Sequence, residues 1–154
     1  MNKINVDNAK DILKEVSRVM DENKDLLVEL DSKAGDGDLG ISMSSGFKAV
    51  AESDAMEKDS LKKLFMTAGM VINEASPSSL GTIIFIGLVG GAKYVGDANE
   101  LDAKGLGGFF MAAAENVMKK TGSKPGEKTI LDSVVPAARS LMDSDKDLAE
   151  AVAD

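Results

Sequence analysis

Apolar residues recur every three or four positions along most of the chain, which is the signature of helices with one buried side. Ala9, Ile12, Leu13, Val16 and Met20 mark a first helix over about Val6 to Met20. A second is expected over about Asp21 to Lys33, with Leu26, Leu27, Val28 and Leu30 inward. A third covers about Leu39 to Ala51, and Asp38 stands just before it, where its side chain can cap free N–H groups. The polar run Glu52 to Ser60 reads as a connection that ends in an N-cap serine. A fourth helix, about Leu61 to Glu74, turns Leu64, Phe65, Ala68, Val71 and Ile72 inward. Pro77 and three serines break the pattern between Ala75 and Ser79.

Leu80 to Tyr94 is apolar on nearly all sides. Its segment from Thr82 to Ile86 is β-prone, but the run is long and no other stretch offers a strand partner, so a buried helix is expected. After a loop from Gly96 to Asp102, a sixth helix covers about Ala103 to Lys120, with Phe109, Phe110, Ala113, Ala114 and Val117 as its core side. Thr121 to Lys128 is a Gly/Pro/Lys loop. A seventh helix follows over about Thr129 to Met142, where Pro136 should kink it or limit its first part. Asp145 onward begins an eighth helix or a tail. The expected fold is all-α, an antiparallel helical bundle or barrel of about seven to eight helices in one domain spanning residues 1–154.

Composition narrows the chemistry. Net charge is −8, which disfavours nucleic acid and anionic membranes as partners. A phosphate ligand would have to be reached through metal ions or backbone N–H groups. The chain has no cysteine and no histidine, which excludes disulfides, thiolate chemistry, imidazole ligands and Ser-His-Asp or Cys-His catalysis. Nine methionines and few aromatic residues suit a pliable core better than a cofactor box. Met1 to Asn8 lacks the apolar run of a signal peptide, and the apolar stretch from Leu80 to Ala92 is too short to span a bilayer, so a cytoplasmic protein is expected.

The chemistry concentrates between Leu30 and Phe47. Asp31, Asp36 and Asp38 fall within eight residues, interleaved with Gly35 and Gly37 and followed by Gly40. Carboxylates this close repel unless a cation sits among them, and Mg2+ is the hard ion that such oxygens hold together with a substrate phosphate. The glycines let the backbone turn sharply and approach a ligand. A metal-nucleotide loop is one reading; a solvated acidic turn is the other, because Asp and Gly are common turn residues. Gly35-x-Gly37-x-x-Gly40 matches the dinucleotide fingerprint only formally, since no strand precedes it. An EF-hand starting at Asp36 fails at Gly40, Ile41 and Phe47, and the P-loop-like run from Gly122 to Thr129 fails because Glu127 splits the Gly-Lys pair.

Three segments together resemble the nucleotide-binding L subunit of bacterial dihydroxyacetone kinases and the matching domain of the single-chain kinases. They are Leu30 to Asp38 with Gly40, Met43, Gly46 and Phe47; Ala75 to Thr82; and Pro125 to Asp132 with Val135 and Pro136. The resemblance implies an antiparallel helical barrel with ADP or ATP at one rim. It implies two Mg2+ ions on Asp31, Asp36 and Asp38. It places Ser76, Ser78, Ser79, Gly81 and Thr82 in the phosphate-side turn, Ser42 and Ser44 where the family usually has asparagines near the nucleotide, and Thr129, Ile130 and Leu131 on the adenine side. It implies phosphoryl transfer through bound nucleotide to a small ketose held by a separate K subunit, with a phosphocarrier subunit of the phosphotransferase system as a further partner, and it leaves room for a homodimer. Such transfer needs positioning and charge neutralisation more than a protein nucleophile, which suits an acidic chain without histidine.

The chain departs from the family pattern in two places. Leu39 stands where many members have a histidine, and the family's closing segment is not found before Asp154: either the chain is truncated or its nucleotide site is open on one side, and weak nucleotide binding is expected if the sequence is complete. Both departures fit an alternative, a catalytically inactive binding or regulatory module of the same fold.

Overall fold

A computed structural model describes residues 2–56 and 59–153. Its helices are α1 (Val6–Glu22), α2 (Lys24–Asp31), α3 (Leu39–Glu52), α4 (Leu61–Ala75), α5 (Ser79–Val95), α6 (Ala103–Thr121), α7 (Leu131–Asp143) and α8 (Leu148–Ala153), with a 3-10 turn at Asp54–Met56. The all-α expectation holds, and α5 is a helix rather than a strand. Each helix packs on a neighbour in the bundle: α2 and α1 on α3, α3 on α4, then α4, α5, α6 and α7 in succession.

Helix starts follow local chemistry. Asn5 and Asn8 exchange side-chain and backbone hydrogen bonds of 2.9 and 3.1 Å at the start of α1, a reciprocal capping box. Ser60, Ser78 and Asp102 each accept an N–H three residues on, at the starts of α4, α5 and α6. Gly122, in the left-handed conformation, ends α6. Helix α7 runs through Pro136 from Leu131 to Asp143. The proline sits early in the helix, so the N–H it lacks costs a single bond to the first turn, and neither a break nor a shortening results.

The core is held by α4, α5 and α6. Phe65 and Phe109 meet with ring centroids 4.6 Å apart, and Phe109 meets Phe110 edge-on at 5.6 Å. Gly91 lets α5 come against the Phe109 ring, into which a Cβ at that position would project. A second small cluster joins Ala114, Val117, Leu131 and Val135 across α6 and α7. Between α1, α6 and α7 lies an apolar hollow of about 1040 Å³, lined among others by Ile12, Val16, Phe110, Ile130 and Pro136.

Two expectations are corrected. Helix α2 carries no fully buried residue, and Leu26 and Leu30 are about half exposed (51% and 50%). Consecutive apolar residues point around a helix in all directions, and this short helix has its main packing surface on α3 alone, so one side of the run stays in water. The segment from Gly96 to Asp102 is not loop throughout. Glu100–Leu101 (β2) pairs antiparallel with Ile4–Asn5 (β1), Ile4 opposite Leu101. Lys3 and Glu100 form an ion pair beside this ribbon. Two-residue strands are too short to leave a periodic trace in sequence.

Among the described residues, no helix is long and apolar enough to cross a membrane.

Candidate functional site

The acidic loop leaves α2 at Asp31, the helix's last residue. The Asp31 carbonyl accepts N–H bonds from Ala34 at 2.9 Å and Gly35 at 2.6 Å, folding the chain back on itself. This brings Gly35 against the Asp31 side chain so closely that a Cβ there would overlap the carboxylate. Gly37 then takes a φ of +78°, a value most side chains resist. The chain enters α3 through Asp38.

Asp38 does not cap α3. Its backbone is already helical, with φ −92° and ψ −10°, whereas a capping side chain needs an extended backbone to swing back over the first turn. The cap comes instead from across the loop: Asp31 Oδ2 accepts the Leu39 N–H at 3.4 Å. The Asp38 N–H donates to Asp36 Oδ1, also at 3.4 Å. Thus Asp31 is anchored, while the Asp38 carboxylate is left for the cleft.

One carboxylate oxygen from each of Asp31, Asp36 and Asp38 lies within 4.8 Å of the other two. Lost hydration, and then the negative charge of Asp36 and Asp31, push the Asp38 carboxyl above its ordinary range. The donor set is all oxygen and all anionic. It fits a hard divalent cation such as Mg2+, whose charge would reverse that repulsion. Among the described residues, no lysine or arginine lines the cleft to neutralise the aspartates from the protein side.

The cleft has a volume of about 900 Å³. Its acidic wall is Asp31, Asp36 and Asp38, continued by Leu39 and Ser42 at the start of α3. Its opposite wall is Asn73 near the end of α4, the turn of Pro77, Ser78 and Ser79, and Leu80, Thr82 and Ile83 of α5. The structure therefore brings Ser42, Ser78, Ser79 and Thr82 to the same cleft as the aspartates. Ser78 holds the α5 start by accepting the Gly81 N–H at 3.1 Å. Gly81 itself is buried beneath the turn, where a Cβ would meet the Ser76 carbonyl.

Other candidates lie elsewhere. Ser76 is 2% exposed, behind the cleft, and its Oγ has no hydrogen-bond partner among the described residues. Ser44 is buried and donates to Asp21 Oδ1 at 2.8 Å, tying α3 to α1. Thr129, Ile130 and Leu131 do not line the cleft: Leu131 is buried between α6 and α7, and Ile130 borders the apolar hollow. Thr129 belongs to a loop organised by Asp132, whose carboxylate accepts the Gly126 N–H and, at 2.9 Å, the Thr129 N–H. Those bonds, the one from Gly126 foremost, hold the Asp132 carboxyl below its ordinary range.

Asn73 was not among the residues singled out from sequence. The available signal was an asparagine, a weak helix former, near the predicted end of a helix.

Comparison with known proteins bears on this geometry. A family profile, the DAK2 domain, matches residues 33–154. The chain is similar to the ADP-binding subunit DhaL of PEP-dependent dihydroxyacetone kinase 1 of Listeria innocua, 34% identical over 125 residues, which are 80% of this chain and 63% of that protein. It is 27% identical to the corresponding DhaL subunit of Escherichia coli over 119 residues, 77% of this chain and 57% of that one. It is 25% identical to the L-erythrulose 1-kinase of Mycolicibacterium smegmatis over 134 residues, 85% of this chain and 24% of the kinase. The chain spans less than two thirds of the length of each of these relatives. The aspartate loop from its third residue, the serine turn and the loop around Asp132 all lie inside the matched residues, and the chain belongs to the DAK2 domain family, the DhaL-type family that its motifs indicate.

Proposed function

We propose that this chain is a DhaL-like nucleotide-binding domain over residues 1–154, a cytoplasmic ADP/ATP-Mg-binding subunit of a dihydroxyacetone-type kinase that passes a phosphoryl group through bound nucleotide to a small ketose held by a partner K subunit. The observation that carries the reading is a single cleft with three clustered carboxylates on one wall, hydroxyl and amide groups on the other, and, among the described residues, no basic side chain lining it. Mg2+, when bound, supplies the positive charge that phosphate transfer requires. Asp31, Asp36 and Asp38 would hold it, and the number of ions proposed is two.

The chain's own residues do the rest. Asp31 is fixed by its bond to the Leu39 N–H, so one ligand is set before any ion arrives. Ser42, Ser78 and Ser79 offer neutral donors to phosphate oxygens without competing with the cations for the aspartates. Ser44, Ser76, Gly81, Thr129, Ile130 and Leu131 would act from behind the cleft or from the loop around Asp132. No protein nucleophile is needed for an in-line transfer between nucleotide and ketose. The names of the relatives support ADP as the bound nucleotide and a PEP-dependent source of phosphate.

Calorimetric titration of the chain with ADP in the presence of Mg2+ tests the binding half: saturable heat is expected, and its absence sinks the reading. Phosphate transfer to dihydroxyacetone, with K and phosphocarrier subunits supplied, tests the other half. A second reading, a module that binds without transferring, is favoured by Leu39, which puts an apolar side chain on the cleft wall next to Asp38. Tight binding with no transfer in the complete assay would select it.

A further inference from the structure

The wall opposite the aspartates contains an arrangement that neither the family match nor the serine turn accounts for. Asn73 sits in the last turn of α4 and lines the cleft. Asparagine is a weak helix former, because its amide competes with the backbone for hydrogen bonds, so its presence here calls for a use of the side chain. Thr82, in the first turn of α5, donates from Oγ1 to Asn73 Oδ1 at 3.2 Å. In this arrangement Oδ1 of the amide faces the threonine. Nδ2, with two hydrogens, is left without an acceptor among the described residues.

Charge sets what such a donor can serve. The facing wall carries three carboxylates, and among the described residues no lysine or arginine lines the cleft. A cationic side chain at position 73 would pair with the aspartates and compete with a metal ion for them. A neutral amide avoids that competition, yet its N–H still binds an anionic oxygen more strongly than a neutral one. The amide is also planar and held at its carbonyl end, so little rotamer freedom remains to be lost on binding.

We propose that Asn73 is a ligand-binding residue of this cleft, its Nδ2 donating to a phosphate oxygen of the nucleotide, and that Thr82 is its positioning residue. The inference rests on the nucleotide reading above and assigns the phosphate-side donor within it.

The test is calorimetry on the full chain, with Mg2+ alone and with ADP at saturating Mg2+. Asn73→Ala should weaken ADP binding about tenfold or more, the usual loss for a hydrogen bond to a charged group, and leave the affinity for Mg2+ alone unchanged. Asn73→Asp, the same shape with no donor and one more negative charge, should weaken ADP binding further than Asn73→Ala. Thr82→Val should give a smaller loss, Thr82→Ser none, and the Asn73→Ala/Thr82→Val pair no more than Asn73→Ala alone, since the threonine acts through the asparagine. Should Asn73→Ala fold poorly, as melting without ligand would reveal, Asn73→Asp and Thr82→Val carry the same comparison.

ADP binding by Asn73→Ala or Asn73→Asp within twofold of the unsubstituted chain overturns the inference alone. So does a parallel loss of Mg2+ affinity, or full additivity of the two losses in the double variant. Failure of the unsubstituted chain to bind ADP with Mg2+ overturns the nucleotide reading and this inference with it.

Discussion

Two interhelical loops, each carrying Gly and Lys and each organised around aspartate carboxylates, reach opposite electrostatic outcomes. In the loop before α7, the Asp132 carboxylate is satisfied from within by the N–H groups of Gly126 and Thr129, and its acidity rises. In the loop before α3, three carboxylates face one another across less than 5 Å, and the acidity of Asp38 falls. One aspartate is spent on the shape of its own loop. The others are held by theirs in a cluster that the protein leaves uncompensated. The contrast shows that an acidic loop is a candidate site when its carboxylates converge on one another, and a structural tie when a lone carboxylate is turned onto the N–H groups of its own loop.

The strongest way to break the contrast is to remove one carboxylate from each loop. Asp36→Ala is expected to lower the affinity for Mg2+ by at least about a hundredfold, more than the loss usual for groups that only support a ligand. Asp132→Ala should leave that affinity within twofold while lowering the melting temperature. Titration of Mg2+ into both variants decides it, and equal losses would end the distinction.

Bound cation should also stabilise the fold. With Mg2+ at about one hundred times its dissociation constant, the gain is roughly 2.7 kcal/mol, or about 5–10 °C in melting temperature for a chain of this size. The gain should fall to about 0.4 kcal/mol or less in Asp36→Ala and persist in Asp132→Ala; thermal scans with and without Mg2+ measure it.

Gly35→Ala sharpens the comparison without touching a charge. The added Cβ would overlap the Asp31 carboxylate and push it from its place. A loss of about tenfold in Mg2+ affinity is expected, the size seen when an orienting contact rather than a ligand is removed. Unchanged affinity would mean that the loop's shape does not set the cluster.

The smallest effect concerns pH. Asp132 is more acidic folded than unfolded, so its contribution to stability is present above the ordinary carboxylate range, near pH 4, and is lost as pH falls through the folded value. Stability of the unsubstituted chain should therefore fall below about pH 4 more steeply than that of Asp132→Asn. Denaturant midpoints across that range would reveal it, and parallel curves would remove Asp132 from the account.

The helices were legible because burial on one side imposes a period that survives in sequence, and caps such as Ser60 mark where the period begins. The aspartate cluster was legible because all its members lie on one short loop. Where reading failed, the deciding contact lay far away or depended on backbone angles. Asp38 looked like a cap, but a helical backbone turned its carboxylate aside and Asp31 took the role. Ser44 looked like its neighbour Ser42, yet the turn of the helix sends one inward to Asp21 and the other to the cleft. Asn73 went unnoticed because its partner, Thr82, is on the next helix. Leu26 and Leu30 were expected inside because apolar residues usually are, but that rule does not run in reverse.

The pairing of Ile4 with Leu101 bears on the order of assembly. Helix α1 can meet α3 once the first third of the chain has left the ribosome, whereas the ribbon must wait until two thirds have emerged. The segment that leads into α1 is thus fastened late, by a latch that arrives with the α5–α6 connection. Until then the inner surface of α1 is sheltered by its nearest helices alone.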